Sequence, residues 1–74
     1  MYILLMTVVK VIELIGSSTT SWEDAARNAV KEAAKTVRHI VGVDVVGFTA
    51  KVKDGDIIEY RANVKVAFIV ERPE

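Results

Sequence analysis

The sequence contains no cysteine, which excludes disulfide bonds and thiolate metal sites. Its single histidine cannot build a histidine-based zinc site alone. Ten basic and ten acidic residues cancel to a formal charge of zero, which argues against nucleic-acid partners and against electrostatic binding to a membrane surface. A chain of 74 residues forms one domain, residues 1–74. Because a core of this size supplies only about 3–5 kcal/mol, and 51% of the residues are hydrophobic, oligomerisation is the expected source of further stability.

The amino-terminal run from Met1 to Val9 is apolar, but it lacks a preceding positive region and a following small-residue cleavage site. It is also too short to span a bilayer. We therefore expect a strand over residues 3–15 rather than a signal peptide, and a cytoplasmic protein.

One helix is predicted from Trp22 to about His39. Ser21 can cap its first turn, and Asp24 stands three residues later in a capping-box-like position. Apolar residues recur at spacings of three and four along one face, which is mostly alanine. Such a face lets a curved sheet approach the helix axis closely.

Two further strands are predicted, over residues 41–53 and 56–70, joined at Asp54-Gly55. Asp-Gly between strands is typical of a two-residue type I′ hairpin. That turn sets the expected cross-strand pairs, which are Lys53 with Asp56, Thr49 with Tyr60, Gly47 with Ala62, and Val45 with Val64.

The predicted register separates two faces of the sheet. One is nearly all apolar, and its small pair Gly47/Ala62 leaves room for the helix. The other is mixed, placing Asp44 opposite Lys65 as an ion pair. Four apolar side chains also lie on this mixed face, which we therefore expect to meet other subunits: Val46, Phe48, Val52 and Ile57. The order β-α-β-β with a right-handed crossover predicts an α+β fold with strand order 1-3-2, the third strand antiparallel to both neighbours, wrapped on one helix.

Three segments resemble the dodecin family: residues 10–16, residues 21–30, and residues 60–68 with their Val-x-Val-Ala-Phe ending. The resemblance implies a hollow homododecamer that binds flavins in pairs at subunit interfaces, for storage or buffering rather than catalysis. The residues themselves agree with a protein that is not an enzyme. No nucleophile–base–orienter set and no glycine-rich phosphate loop can be assembled from them.

The resemblance also defines candidate flavin positions. Flavin-binding dodecins carry a tryptophan near the start of the second strand, which stacks on the isoalloxazine ring, and a glutamine after the tyrosine of the third strand. Here these positions are Gly42 and Arg61, so we expect weak or lost binding of FMN or riboflavin. In the alternative interpretation, Gly42 simply marks the start of the strand and has no role in binding. Phe48 is either an alternative stacking surface or an interface anchor, and we expect Trp22 to pack at the helix start.

Arg61 has two readings. It either faces a phosphate or pairs with a carboxylate, from Glu59 or from another subunit. His39 is expected to act as a partner of the helix dipole at the carboxyl end rather than as a ligand.

Calcium is the alternative ligand. Asp44, Glu59 and Glu13 from several subunits could share an ion, and the resemblance implies calcium binding in some dodecins that lack the tryptophan. Asp54-Gly55-Asp56 lacks the further carboxylates of an EF-hand loop, and we interpret it as the hairpin turn.

Overall fold

The structure, a computed structural model, describes residues 7–71 and contains four elements in the predicted order. These are strand β1 (Thr7–Ser18), helix α1 (Trp22–Ala34), strand β2 (Ile40–Lys53) and strand β3 (Asp56–Glu71). Of the first strand, which was expected over residues 3–15, the part at residues 3–6 lies outside the described residues.

β3 lies at the centre of the sheet. It pairs antiparallel with both β1 and β2, which gives the order β1-β3-β2 and confirms the predicted topology. The two outer strands therefore run parallel to each other, and α1 connects them across one face of the sheet.

The start of α1 is held by a small polar network. Ser21 Oγ accepts a hydrogen bond from the backbone N–H of Asp24 at 3.0 Å, as predicted for the cap. The Asp24 carboxylate does not turn back to Ser21; it accepts from the hydroxyls of Ser18 at 2.8 Å and Thr20 at 3.3 Å. The hydrogen bond from Ser18 lowers the pKa of the Asp24 carboxyl, so the side chain stays charged beside the positive end of the helix dipole.

The helix ends at Ala34, earlier than the predicted end near His39. The N–H groups of Lys35 and Thr36 bond to carbonyls three residues back, which tightens the last turn. His39 then adopts a φ of 61°, a left-handed conformation that cannot continue the helix. Its carbonyl accepts from the N–H of Ile69 at 3.0 Å. His39 therefore makes the corner into β2 and is not in the last helical turn.

The core lies between α1 and the sheet. Its buried members are all small or β-branched, and they are Ala25, Ala29, Ala33, Ala62, Val64 and Val66. This confirms the predicted alanine face of the helix.

Helix and sheet lie very close together at Gly16. A Cβ atom at Gly16 would collide with the carbonyl oxygen of Ala25 and stand 2.8 Å from the Cβ of Ala29. Gly16 pairs with Ala62 on β3. The small pair under the helix is therefore Gly16/Ala62. The predicted Gly47/Ala62 pair is wrong, because Gly47 pairs with Asn63 and has open space above it.

The hairpin turn was predicted correctly. Asp54 and Gly55 have φ values of 53° and 82°, the two positive values that a type I′ turn requires. The pairs Lys53–Asp56 and Val45–Val64 follow as expected.

Between those pairs, the register shifts by one residue and then returns. The first shift lies between Lys51 and Val52, where Ile58 has no partner, and the second lies at Val46. Thr49 consequently pairs with Arg61, and the predicted Thr49–Tyr60 pair is wrong. These two bulges have opposite effects, so the pairs from Val45–Val64 to Gly42–Ala67 return to the register that the turn predicts. A third shift at Val41 then pairs Ile40 with Phe68.

We expect Gly16→Ala to lower the free energy of unfolding by about 2–3 kcal/mol, because the added methyl group forces helix and sheet apart. Urea unfolding measures the change. Gly47→Ala is the control: its Cβ meets no atom within 4 Å, so its effect should stay within about 1 kcal/mol. Equal losses in the two variants would contradict a special role for Gly16.

Candidate functional site

The candidate site lies on the outer face, which we define as the face of the sheet turned away from α1. On β3 the outer residues alternate with the buried Ala62, Val64 and Val66, and the pairing extends the face to both neighbours. Its members are Val9, Val11, Glu13, Ile15 and Ser17 on β1, Gly42, Asp44, Gly47, Thr49, Lys51 and Val52 on β2, and Ile57, Glu59, Arg61, Asn63, Lys65, Ala67 and Ile69 on β3.

Much of this face is apolar and open. Val11, Ile15 and Val52 are 55%, 68% and 60% exposed. Side chains of this kind gathered on one face mark a surface that contacts other molecules. The prediction that Val52 and Ile57 lie on this face is confirmed, whereas Val46 lies at the second bulge.

A concavity of about 310 Å³ lies around Gly42. Gly42 pairs with Ala67, and nothing lies within 4 Å of the position that a Cβ atom would take. The remaining lining residues are Val11, Val43, Asp44 and Lys65. The walls thus combine apolar groups with one acid and one base. They contain no aromatic ring on which a flavin could stack.

A row of three charges crosses the sheet beside this concavity. Lys65 pairs in register with Asp44 on one side, as predicted, and with Glu13 on the other. The two carboxylate-bearing residues stand two strand spacings apart, about 10 Å. The ion pairs within 4.0 Å among the described residues lie elsewhere, and they are Arg27–Glu23, Lys35–Glu32 and Arg61–Glu59. The close Asp44–Lys65 ion pair is therefore not formed, although the register places the two residues opposite each other.

Arg61 lies far from Gly42 on the same face. It is six positions from Ala67, the partner of Gly42, which corresponds to about 20 Å along β3. Its guanidinium donates to Glu59 Oε1 at 3.1 Å, and this hydrogen bond lowers the pKa of the Glu59 carboxyl. Of the two predicted roles of Arg61, the structure shows the carboxylate pair within the chain.

Phe48 does not lie on the outer face as predicted. The register shift at Ile58 pairs it with the buried Ala62, which puts it on the helix side of the sheet. There the Trp22 ring lies 6.1 Å from the Phe48 ring and 4.9 Å from the Tyr60 ring, and Trp22 Nε1–H donates to the Thr49 carbonyl at 2.7 Å. The expectation that Trp22 packs at the helix start is confirmed.

The three predicted calcium ligands do not converge within one chain. Glu13 and Asp44 share the charged row, but Glu59 is six positions from Lys65 on β3, again about 20 Å away. Across residues 7–71, no group of three His, Cys, Asp or Glu side chains is placed to hold a metal ion.

Asn63 is a feature of the outer face that the sequence reasoning did not single out. It lies between Ile15 and Gly47, and its Oδ1 atom is buried without a hydrogen-bond donor among residues 7–71. Such an atom needs a partner from water or another molecule. The sequence feature that could have identified Asn63 is its residue type, because asparagine is a poor strand former and here it lies in the middle of a strand rich in β-branched residues.

With 13 residues, α1 is too short to span a bilayer, and residues 7–71 contain no other helix.

Comparisons with known proteins agree with one another. A family model described as Dodecin matches residues 8–71. The chain is 41% identical over 63 residues to the calcium dodecin of Mycobacterium tuberculosis (strain ATCC 25618 / H37Rv), an alignment that covers 85% of this chain and 89% of that protein.

Solved structures show the same fold. A Thermus thermophilus protein superimposes with a TM-score of 0.86 at 30% identity, covering 90% of this chain and 98% of the other. The dodecin from Streptomyces coelicolor superimposes with a TM-score of 0.85 at 27% identity, covering 89% of this chain and 94% of the other.

Proposed function

The chain belongs to the dodecin family, and from that premise we propose that it is a cytoplasmic, non-catalytic binding and storage protein. It assembles as a hollow homododecamer and holds small ligands at its subunit interfaces. The observation that carries this proposal is the outer face of the sheet, which is in large part apolar, open and not covered by any described element of its own chain.

The free energy gained by burying exposed apolar side chains supports assembly through this face. One helix covers part of one side of a three-stranded sheet, and the opposite side exposes Val9, Val11 and Ile15 at 54%, 55% and 68%. Burying apolar surface stabilises by about 25 cal/mol per Å², which is a large gain for a domain whose buried core consists of small side chains. The charged row is also compatible with a neighbouring copy, since it contains both signs.

We expect light scattering to give a particle of about twelve times the 8.2 kDa chain mass. The particle should persist at high salt, because the contacts proposed for it are mainly apolar. A monomer at all concentrations would contradict the proposed assembly.

The proposed function includes only weak binding of flavin by this chain. The concavity at Gly42 lacks a stacking ring, and the aromatic rings of Trp22, Phe48 and Tyr60 lie on the opposite side of the sheet. A tryptophan ring buries about 200 Å², so its loss removes up to about 5 kcal/mol of contact. Arg61 has donors only and cannot accept from the flavin imide as glutamine does. Gly42 and Arg61 lie too far apart in one chain, so an interface ligand would meet them from different subunits.

We expect Gly42→Trp to raise the affinity for riboflavin and FMN by roughly two orders of magnitude, since half of that contact energy corresponds to such a factor. Adding Arg61→Gln should raise it further. Quenching of flavin fluorescence measures both. Gly47→Trp is the matched control, because Gly47 lies on the same face of β2 with open space above it but outside the concavity. Tight binding by the unsubstituted protein at submicromolar flavin would contradict the expectation.

Calcium is the second candidate ligand. The observation that favours it is the 41% identity to a protein named calcium dodecin, together with one carboxylate, that of Asp44, and no aromatic ring around Gly42. Calcium requires six to eight oxygen ligands, and one chain brings only Glu13 and Asp44 to the charged row. An ion would therefore be held between subunits, with Glu59 supplied by a different region of the outer face.

We expect calorimetry on chelator-treated protein to show heat on adding calcium, and the melting temperature to rise. Asp44→Asn should remove both responses, because it removes a carboxylate ligand. Asp54→Asn is the matched control: it makes the same change at the hairpin turn, where Asn-Gly also forms a type I′ turn. Equal responses in the two variants would exclude Asp44 as a ligand.

A further inference from the structure

We infer that one row of the outer face, Ser17–Arg61–Thr49, supplies the donors of a binding site for a phosphate group, and that Glu59 competes with the phosphate for Arg61. The inference rests on the proposed function and names the chemical class of a ligand for it. The row is the part of the site that one chain provides. It lies about 20 Å along β3 from the concavity at Gly42 and is therefore a second region of the outer face.

The pairing of the strands places a hydroxyl-bearing residue on each side of Arg61. Ser17 on β1 and Thr49 on β2 are its two partners in register, and directly opposed residues share one face of a sheet. A guanidinium carries several N–H donors, of which the contact with Glu59 uses Nη2. The row therefore offers further donors from Arg61 and from two hydroxyls, and such donors bind the oxygens of phosphate.

Both residues that flank Arg61 are held by side chains of α1. Asn28 Nδ2 donates to the carbonyl oxygen of Ser17 at 2.9 Å, and Trp22 Nε1 donates to that of Thr49 at 2.7 Å. Arg61 itself lies on the central strand, which pairs with a neighbour on each side. Because a preorganised site loses less conformational entropy when a ligand binds, this anchoring favours ligand binding at the row.

The contact with Glu59 supports an oxyanion as the ligand. Glu59 Oε1 accepts from Arg61 Nη2 at 3.1 Å. This hydrogen bond is the main cause of the lowered pKa of the Glu59 carboxyl, and the Ser17 hydroxyl also contributes. The Arg61 and Glu59 side chains are 44% and 30% exposed, and ion pairs in contact with water contribute little to stability. Glu59 also stands opposite a second cation, Lys51 on β2, so a ligand can displace the carboxylate from Arg61 at small cost.

The competition with Glu59 favours phosphate over other anions. A carboxylate ligand carries the same charge as Glu59 and lacks the advantage of attachment to the chain. A phosphate monoester carries a charge of about −1.5 to −2 at pH 7 and three acceptor oxygens. It therefore gains more than a carboxylate does from a guanidinium that lies between two hydroxyls.

The charges along the sheet limit the ligand to a single phosphate group. Glu59 lies two positions before Arg61, and the carboxylates of the charged row lie about 13 Å beyond it in the other direction. A chain of phosphates that crossed this face would be repelled by these acids. Ile15, two positions before Ser17 on β1, is 68% exposed and offers an apolar surface to the organic part of a small phosphate ester.

The test is calorimetric titration of the assembled full chain, in phosphate-free buffer, with inorganic phosphate and with phenyl phosphate. Arg61→Gln should weaken the binding of both at least about tenfold, because it removes the charged donor. Lys65→Gln is the matched control, since it removes a positive charge from the same strand and face outside the row, and it should bind like the wild type. Glu59→Gln should strengthen binding severalfold, because it removes the competing carboxylate.

Melting curves recorded without phosphate report whether each variant stays folded. Added phosphate should then raise the melting temperature of the wild type and of Lys65→Gln but not that of Arg61→Gln. Tighter binding of phenyl phosphate than of inorganic phosphate would identify an ester as the ligand, and equal binding would identify the free ion.

Two results would overturn the inference: equal weakening by Arg61→Gln and Lys65→Gln, or the same affinity in Glu59→Gln as in the wild type. An assembled particle that binds neither phosphate compound would also overturn it, while leaving the proposed assembly standing. A chain that is monomeric at all concentrations would instead contradict the proposed assembly, which light scattering on the same samples reports.

Discussion

The contact between α1 and the sheet at Gly16 is the constraint on which the rest of the structure depends. The fully buried residues of the helix are all alanine, so its backbone must approach the sheet closely to bury them. Gly16 permits that approach because it has no side chain to meet Ala25 and Ala29. Ala62, its neighbour on β3, is also small and fully buried. Once the helix packs at this position, the side chains of β3 alternate between the helix side and the outer face.

The two bulges decide what each face of the hairpin carries. A uniform register from the Asp54-Gly55 turn would put Phe48 on the outer face, as predicted. The shift at Ile58 moves Phe48 to the helix side, where its ring joins those of Trp22 and Tyr60. The return at Val46 brings Asp44 back opposite Lys65. Local backbone insertions thus separate the aromatic cluster from the charged row, and the outer face is left without a ring.

The distribution of candidate ligands explains why function here is a property of an assembly. Gly42 and Arg61 lie about 20 Å apart on one strand ladder, and Glu13, Asp44 and Glu59 do not converge within one chain. The buried oxygen of Asn63, which has no donor within the described part of the chain, also lies on the outer face. An open face with scattered polar groups becomes a binding site only when another copy brings complementary groups to it. This is why the proposed ligands are tested together with the assembly.

The sequence by itself determined the element order, the capped helix start, the type I′ turn and the hairpin pairs Lys53–Asp56, Val45–Val64 and Asp44–Lys65. Each of these depends on local chemistry: a serine hydroxyl at Ser21, positive φ at Gly55, and apolar spacing along the helix. Only the tertiary structure decided that Gly16 rather than Gly47 lies under the helix, that the helix stops before His39, and that Phe48 lies on the helix side of the sheet. Those outcomes depend on contacts between segments that are distant in the sequence. A one-residue bulge moves every following residue to the other face until the next bulge, and no local pattern in this sequence predicts where the bulges lie.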